Sequence, residues 1–275
     1  MEIVYRNFIR LLSIGSFNQE ESVEPMSVFK WKQLLMLADT YEVTENISYG
    51  IIKTDKKTDY LVPKGIIEIA NQNISGKSTD FTYKKTRYNY AHKYENRFAN
   101  VFLNHRLKKL IYNEVHSIDT SIASLVFLDK TIENINAIIS SGINFKDIID
   151  IGLYLRKNGD KIDFIKYEQW INSLGIKNAS NAIGSYLITL FCFELDELPY
   201  MKNYRKQTFN MACKPLKYTL TQAAKDNHKE SYEQRIAKKL HLPNSKILSH
   251  FSFFPLEVSS KFIAGIYKSL SNIEE

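Results

Sequence analysis

The chain has 275 residues, of which 44% are hydrophobic and 24% charged, with two cysteines and a net charge of +7. That length can bury a substantial core, and the composition excludes wholesale disorder. Cys192 and Cys213 are too few for a disulfide scaffold and lack metal-type spacing, and ten glycines with six prolines are few for an all-β chain.

Residues 2–14 place Ile3, Val4, Phe8, Leu11 and Leu12 at helical spacing, and Gly15 predicts the stop. After "SFNQEESVEP", Ser27 predicts an N-cap for a helix whose apolar stripe is Val28, Trp31, Leu34, Leu35, Ala38 and Tyr41. A short helix from Thr44 to about Lys53 follows, and Pro63 opens another. Residues 74–90, "ISGKSTDFTYKKTRYNY", are polar, aromatic and aperiodic, which predicts a loop. From Ala91 to Val115 the helical period returns, with Phe98, Val101, Phe102 and Leu110 spaced for burial.

Ile122, Leu125, Val126, Ile132, Ile135 and Ile139 continue the helical pattern as far as Gly142. Asn144 with Asp147 three residues on predicts a capped helix that ends at Gly159. Asp163 caps the next, whose face is Phe164, Tyr167, Trp170, Ile171 and Leu174, stopped at Gly175. A further apolar helix covers about 178–193, and Pro255 opens a last amphipathic one with Phe262, Ile263, Ile266, Tyr267 and Leu270 on one face.

These patterns predict a mainly α protein, a multi-helix globular bundle with at most a small β element around 51–90. A helical core domain spans 1–200, with a polar basic loop at about 74–90, and a basic helical segment, 201–275, packs on it. The expected core is Trp31, Leu35, Ile132, Ile149, Leu153, Phe164 and Trp170. Charges at Glu2, Arg6 and Arg10 interrupt the first apolar stretch, which is no signal peptide. The longest uncharged apolar run, "SYLITLFCF" at 185–193, falls short of the roughly 20 residues that span a bilayer. The expected compartment is the cytoplasm.

The positive charge is concentrated. Residues 1–200 hold 24 Lys/Arg and 24 Asp/Glu, so the 13 basic and 6 acidic residues of 201–275 supply the whole excess. A second block, 77–109, holds nine basic residues against Asp80 and Glu95. Such blocks point to polyanions or anionic surfaces. Lys84, Lys85, Arg87, Arg106, Lys108 and Lys109 in one block, and Lys202, Arg205, Lys206, Arg235, Lys238 and Lys239 in the other, are the candidate phosphate contacts. Tyr83, Tyr88 and Tyr90 are the candidate stacking residues, because bases held on aromatics beside cations are how single strands are bound. The apolar face of the C-terminal helix offers, as a lesser alternative, contact with an anionic membrane surface.

Signals for chemistry are sparse. "NQNISGKS" at 71–78 carries the Gly-Lys-Ser of a phosphate loop, but Asn71 holds the first glycine's place and the preceding "IIEIANQ" reads as a helix rather than a strand. Glu114, His116 and Asp119 form the one acid–base candidate, with His116 and Asp119 three residues apart on a helix face. No second histidine lies within helical reach, so no zinc set forms, and neither metal nor cofactor is expected. The competing expectation is a capping or salt-bridging group at a helix junction.

"VFKWKQLLMLADTYEVTENISYGI" at 28–51, "INFKDIIDIGLYLRKNGDKIDFIKYEQWINSLGI" at 143–176 and "LFCFELDELPY" at 190–200 resemble the helical parts of a nucleotidyltransferase family linked to polysaccharide biosynthesis. "NEVHSIDTS", "LRKNGDKIDFIKYEQW" and "FPLEVSSKFIAGIYKSLSNIEE" also look like a narrower protein group that brings no function with it. The first resemblance implies nucleotidyl transfer, which needs a Gly-Ser turn on a strand and a D-x-D pair that holds magnesium over the triphosphate. Residues 100–145 have neither, and Asp147 and Asp150 stand at helical rather than strand spacing. The expected function is therefore a non-catalytic helical scaffold that binds RNA, another polyanion or a protein partner. The alternatives are an enzyme of that family with an unrecognised site, or a peripheral membrane partner of polysaccharide biosynthesis.

Overall fold

A computed structural model describes residues 3–57, 61–75, 98–141, 143–202, 216 and 257–260. Among these residues there is no strand, and the helices run α1 (Ile3–Phe17), α2 (Val28–Thr40), α3 (Thr44–Lys57), α4 (Lys64–Ile74), α5 (Val101–Val115), α6 (Ile122–Ser141), α7 (Phe145–Asn158), α8 (Phe164–Ser173) and α9 (Lys177–Phe191). The mainly α bundle is as the periodicity predicts. Where residues 51–90 are described they are helical, at 51–57 and 64–74, so the allowance for a small β element is not taken up there.

Helix α1 is the hub. It is buried on nearly every side and packs against α2, α3, α7 and α9. One group of helices, α2 to α4, lies on one flank, and α6 to α9 pack on one another along the other. Trp31, Ile132, Ile149 and Trp170 are buried as expected, while Leu35, Leu153 and Phe164 border the core, half-buried. Phe8, Tyr41 and Phe145 meet edge-on or tilted and join the flanks, with Phe8 and Phe145 centroids 5.5 Å apart.

Gly15 does not stop α1, which runs on to Phe17. A Cβ at Gly15 would sit 1.9 Å from the Asn46 carbonyl oxygen, and one at Gly50 would sit 2.3 Å from that of Leu11. The two glycines let the α1 and α3 backbones touch. The chain turns instead at Asn18, in left-handed conformation (φ 57), whose N–H reaches back to the Ile14 carbonyl. The loop that follows is held by Glu24. Its carboxylate accepts from Arg6 and Arg10, and its backbone exchanges two hydrogen bonds with the fully buried Asn7 side chain.

Local capping chemistry sets several other boundaries. Asp163 accepts from the backbone N–H of Ile165 and Lys166 and starts α8, and Gly175 (φ 69) ends its turn with Ile176 N–H on the Ile171 carbonyl. Asn144 caps α7 through Lys146 N–H. Ser27 holds the predicted N-cap position of α2 without a side-chain cap bond. Inside the bundle, Thr131, Tyr167 and Ser180 hydroxyls form a buried chain (2.9 and 2.8 Å) that ties α6, α8 and α9 together. Arg156 of α7, over the Phe193 ring and paired with Glu197 at 3.0 Å, fastens the segment after α9.

Asp147 carries a stability cost that depends on pH. Burial first, then Glu133 and Asp150, push its carboxyl up to about 6, against the smaller opposing effects of Lys146 and the Asn144 hydrogen bond. Asp150 is raised as well, through burial, with Lys130 and Lys146 opposing. A raised carboxyl pKa means that the folded protein holds more protons than the unfolded chain between about 4 and 6, so stability falls as pH rises through that window. Asp147→Asn, which keeps a hydrogen-bonding group beside Asn144, is expected to stabilise the protein by about 1 kcal/mol at pH 7.5 once solvent screening is allowed for. The gain should shrink as pH approaches 4, read as the difference in Tm between variant and parent.

Candidate functional site

Helix α5 carries Glu114 of the acid–base candidate, with His116 as its C-cap and Asp119 in the turn beyond, and three of the candidate phosphate contacts, and its two ends are tightly fixed. At the N-terminus, Asn100 accepts from Leu103 N–H at 3.0 Å, and the fully buried Glu257 carboxylate accepts from Ala99 N–H at 2.5 Å and Asn100 N–H at 3.1 Å. A carboxylate suits this place because a helix N-terminus presents unsatisfied N–H groups and a positive dipole end. Asn100 also donates to the Ser260 hydroxyl. No sequence signal singled out Glu257; its partner lies 158 residues away.

At the C-terminal end the buried Glu114 carboxylate accepts from Ser121 N–H (2.7 Å) and from Lys166 Nζ (3.0 Å). Lys166 also donates to the backbone carbonyl of Asp119 (2.6 Å) and pairs with its carboxylate (2.9 Å). Hydrogen bonds from Ser117 and then Lys166 hold Asp119 low, at about 2, and the same pairing raises Lys166. His116 turns away. Its Nδ1 lies 2.7 Å from the Tyr112 carbonyl, and its ring stands 4.2 Å from the Tyr112 ring. Glu114 and Asp119 are thus brought together around Lys166, and His116 is not brought to either. The cluster clamps α5, the turn after it and α8, and offers no oriented imidazole–carboxylate pair.

Between these fixtures α5 buries Leu103, Leu107 and Glu114 and leaves its other half in solvent. Val101 and Phe102, which the spacing from Phe98 marked for burial, are exposed, Phe102 at 81%. The helix starts only at Val101, so the register counted from Phe98 does not carry into it. Going round the exposed half at roughly 100° per residue, the order is Val115, Lys108, Val101, Tyr112, His105, Lys109, Phe102, Asn113 and Arg106. Cations are interspersed among mostly apolar and aromatic side chains, and no carboxylate is among these residues. Lys108 and Lys109 make no ion pair among the described residues, and Arg106 reaches the Ser173 carbonyl at a long 3.4 Å.

Lys202 is exposed, and it lies near enough to Glu168 to help lower that carboxyl, whose main cause is the hydrogen bond from Lys177. Lys84, Lys85, Arg87, Arg205, Lys206, Arg235, Lys238 and Lys239 lie outside the described residues, as do Tyr83, Tyr88, Tyr90 and the apolar face at 262–270. Asn71, at the start of the phosphate-loop look-alike, is part of α4, and Gly76 to Ser78 lie outside the described residues.

Among the described residues no three His, Cys, Asp or Glu side chains converge where a metal ion could be held, and no helix is long and apolar enough to cross a membrane. No family model, curated protein or solved structure matches the chain.

Proposed function

We propose that this protein is a non-catalytic helical scaffold that binds a polyanion, RNA, through the outer face of α5. The observation that carries the reading is that Arg106, Lys108 and Lys109 are interspersed with exposed apolar and aromatic side chains on a helix face whose own residues include no carboxylate. Lysine and arginine neutralise phosphates, and every base offers a ring face to an aromatic side chain. None of the exposed residues of α5 is an acid, and the nearby Glu114 and Asp119 are paired with Lys166, so little of the attraction is cancelled at close range. The helix is also preorganised: Glu257 and Lys166 fix its ends, so binding orders little that is not already ordered.

In this reading the hairpin of α7 and α8, which resembles helices of a nucleotidyltransferase family, is scaffold. Its Asp163 works as a helix cap, and the acid–base candidate beside it is consumed by a structural clamp. The direct test is photocrosslinking to a thiouridine-substituted single-stranded RNA, followed by mapping of the linked peptides. Crosslinks within 101–118 are expected. Crosslinks confined to other parts of the chain would overturn the assignment of α5.

A further inference from the structure

Resting on that reading of α5, we infer that its ligand is a single-stranded nucleic acid whose bases stack on two aromatic stations, the Tyr112–His116 pair and Phe102. Tyr112 is 66% exposed and packs its ring on that of His116, with centroids 4.2 Å apart and planes 35° off parallel. His116 is held by its hydrogen bond to the Tyr112 carbonyl, so the pair is a small, fixed aromatic surface facing solvent. Phe102 stands at the other end of the helix, almost fully in water.

Ten residues separate Phe102 from Tyr112, which is about 15 Å along a helix axis. A strand with bases about 3.4 Å apart covers that span with four or five nucleotides. Along the helix axis Arg106, Lys108 and Lys109 all fall between the two stations, Lys109 in the sector that joins them and Lys108 and Arg106 on its two sides, within reach of the phosphates of such a strand. A duplex has its base faces already stacked inside and would leave both stations without partners.

An anionic membrane fits the face less well. An interfacial helix separates an apolar side, which sinks into the acyl boundary, from a cationic rim. Here Lys108 falls between Val115 and Val101, and Lys109 between Tyr112 and Phe102, so immersion of the apolar groups would carry both ammonium groups with them.

The experiment compares the full chain with Phe102→Ser and Tyr112→Ser, by fluorescence anisotropy at fixed salt. The ligands are a mixed-sequence single-stranded RNA, the duplex of the same sequence, and heparin. The single strand is expected to bind at least tenfold tighter than the duplex. Each serine variant should lose about tenfold for the single strand, the scale of one stacked base, and nothing for duplex or heparin. Both substitutions are on exposed positions, and an unchanged circular dichroism spectrum confirms that the fold is kept. If all three ligands bind alike and the serine variants match the parent, stacking is overturned while polyanion binding stands. If none binds, the α5 reading itself falls. Binding to phosphatidylglycerol vesicles that Phe102→Ser abolishes, without preference for the single strand, would replace the nucleic acid with a membrane surface.

Discussion

Gly15→Ala is expected to destabilise the protein by about 3 kcal/mol, a large part of a typical domain's stability. The added methyl would lie 1.9 Å from the Asn46 carbonyl oxygen and 2.9 Å from Gly50 N, and both are backbone atoms that cannot swing aside. Helices α1 and α3 must therefore move apart, which opens the packing along their whole contact. Alanine's better helix propensity returns about 1 kcal/mol, too little to reverse the sign. Gly50→Ala, 2.3 Å from the Leu11 carbonyl, should cost a similar amount. The double variant should cost less than the sum, because the helices need separate only once. Gly65→Ala is the control: nothing lies within 4 Å of its Cβ, and a gain of about 0.5 kcal/mol is expected. Urea unfolding followed by circular dichroism measures all four. A Gly15→Ala protein as stable as the parent would show that the two backbones do not meet as described.

The second large effect concerns the ligand. Arg106→Gln, Lys108→Gln and Lys109→Gln together remove the three described cations of α5's outer face and keep residues of good helix propensity. Each phosphate contact to a single strand contributes about 0.7 to the slope of log affinity against log salt, so the triple variant should be shallower by about 2. At about 0.1 M salt that corresponds to roughly a hundredfold weaker binding. The fold should be untouched, since none of the three residues is buried and only Arg106 makes a described contact, at 3.4 Å.

What was legible in the sequence is what depends on neighbours in the chain. Asp163 and Asn144 were readable as caps because a cap bonds N–H groups two or three residues on, and Gly175 because a left-handed turn has a local residue preference. Gly15 was misread because the same residue ends helices and lets backbones touch, and the deciding partners, Asn46 and Gly50, are some thirty residues away. Val101 and Phe102 were expected inside for a related reason. Periodicity gives a stripe, but not where the helix starts or whether a second layer covers that stripe. In the site, the basic character of 77–109 was plain, and so was the choice offered by Glu114, His116 and Asp119. Only the fold supplies Lys166, 52 residues from Glu114, which turns the acids into a clamp. The pairing of Tyr112 with His116 is an ordinary four-residue helix spacing, and could have been found had the exposed side of α5 been known.

The central claim is that α5 presents its cations to a polyanion, and the salt dependence of binding tests it most directly. Affinity for a single-stranded RNA should be measured by anisotropy between about 0.05 and 0.3 M salt, for the parent and for the triple glutamine variant, both checked for fold. The account predicts a steep line for the parent and one shallower by about 2 for the variant, the two converging at high salt. Parallel lines of equal slope and affinity would contradict it, because the phosphates would then be neutralised somewhere other than α5.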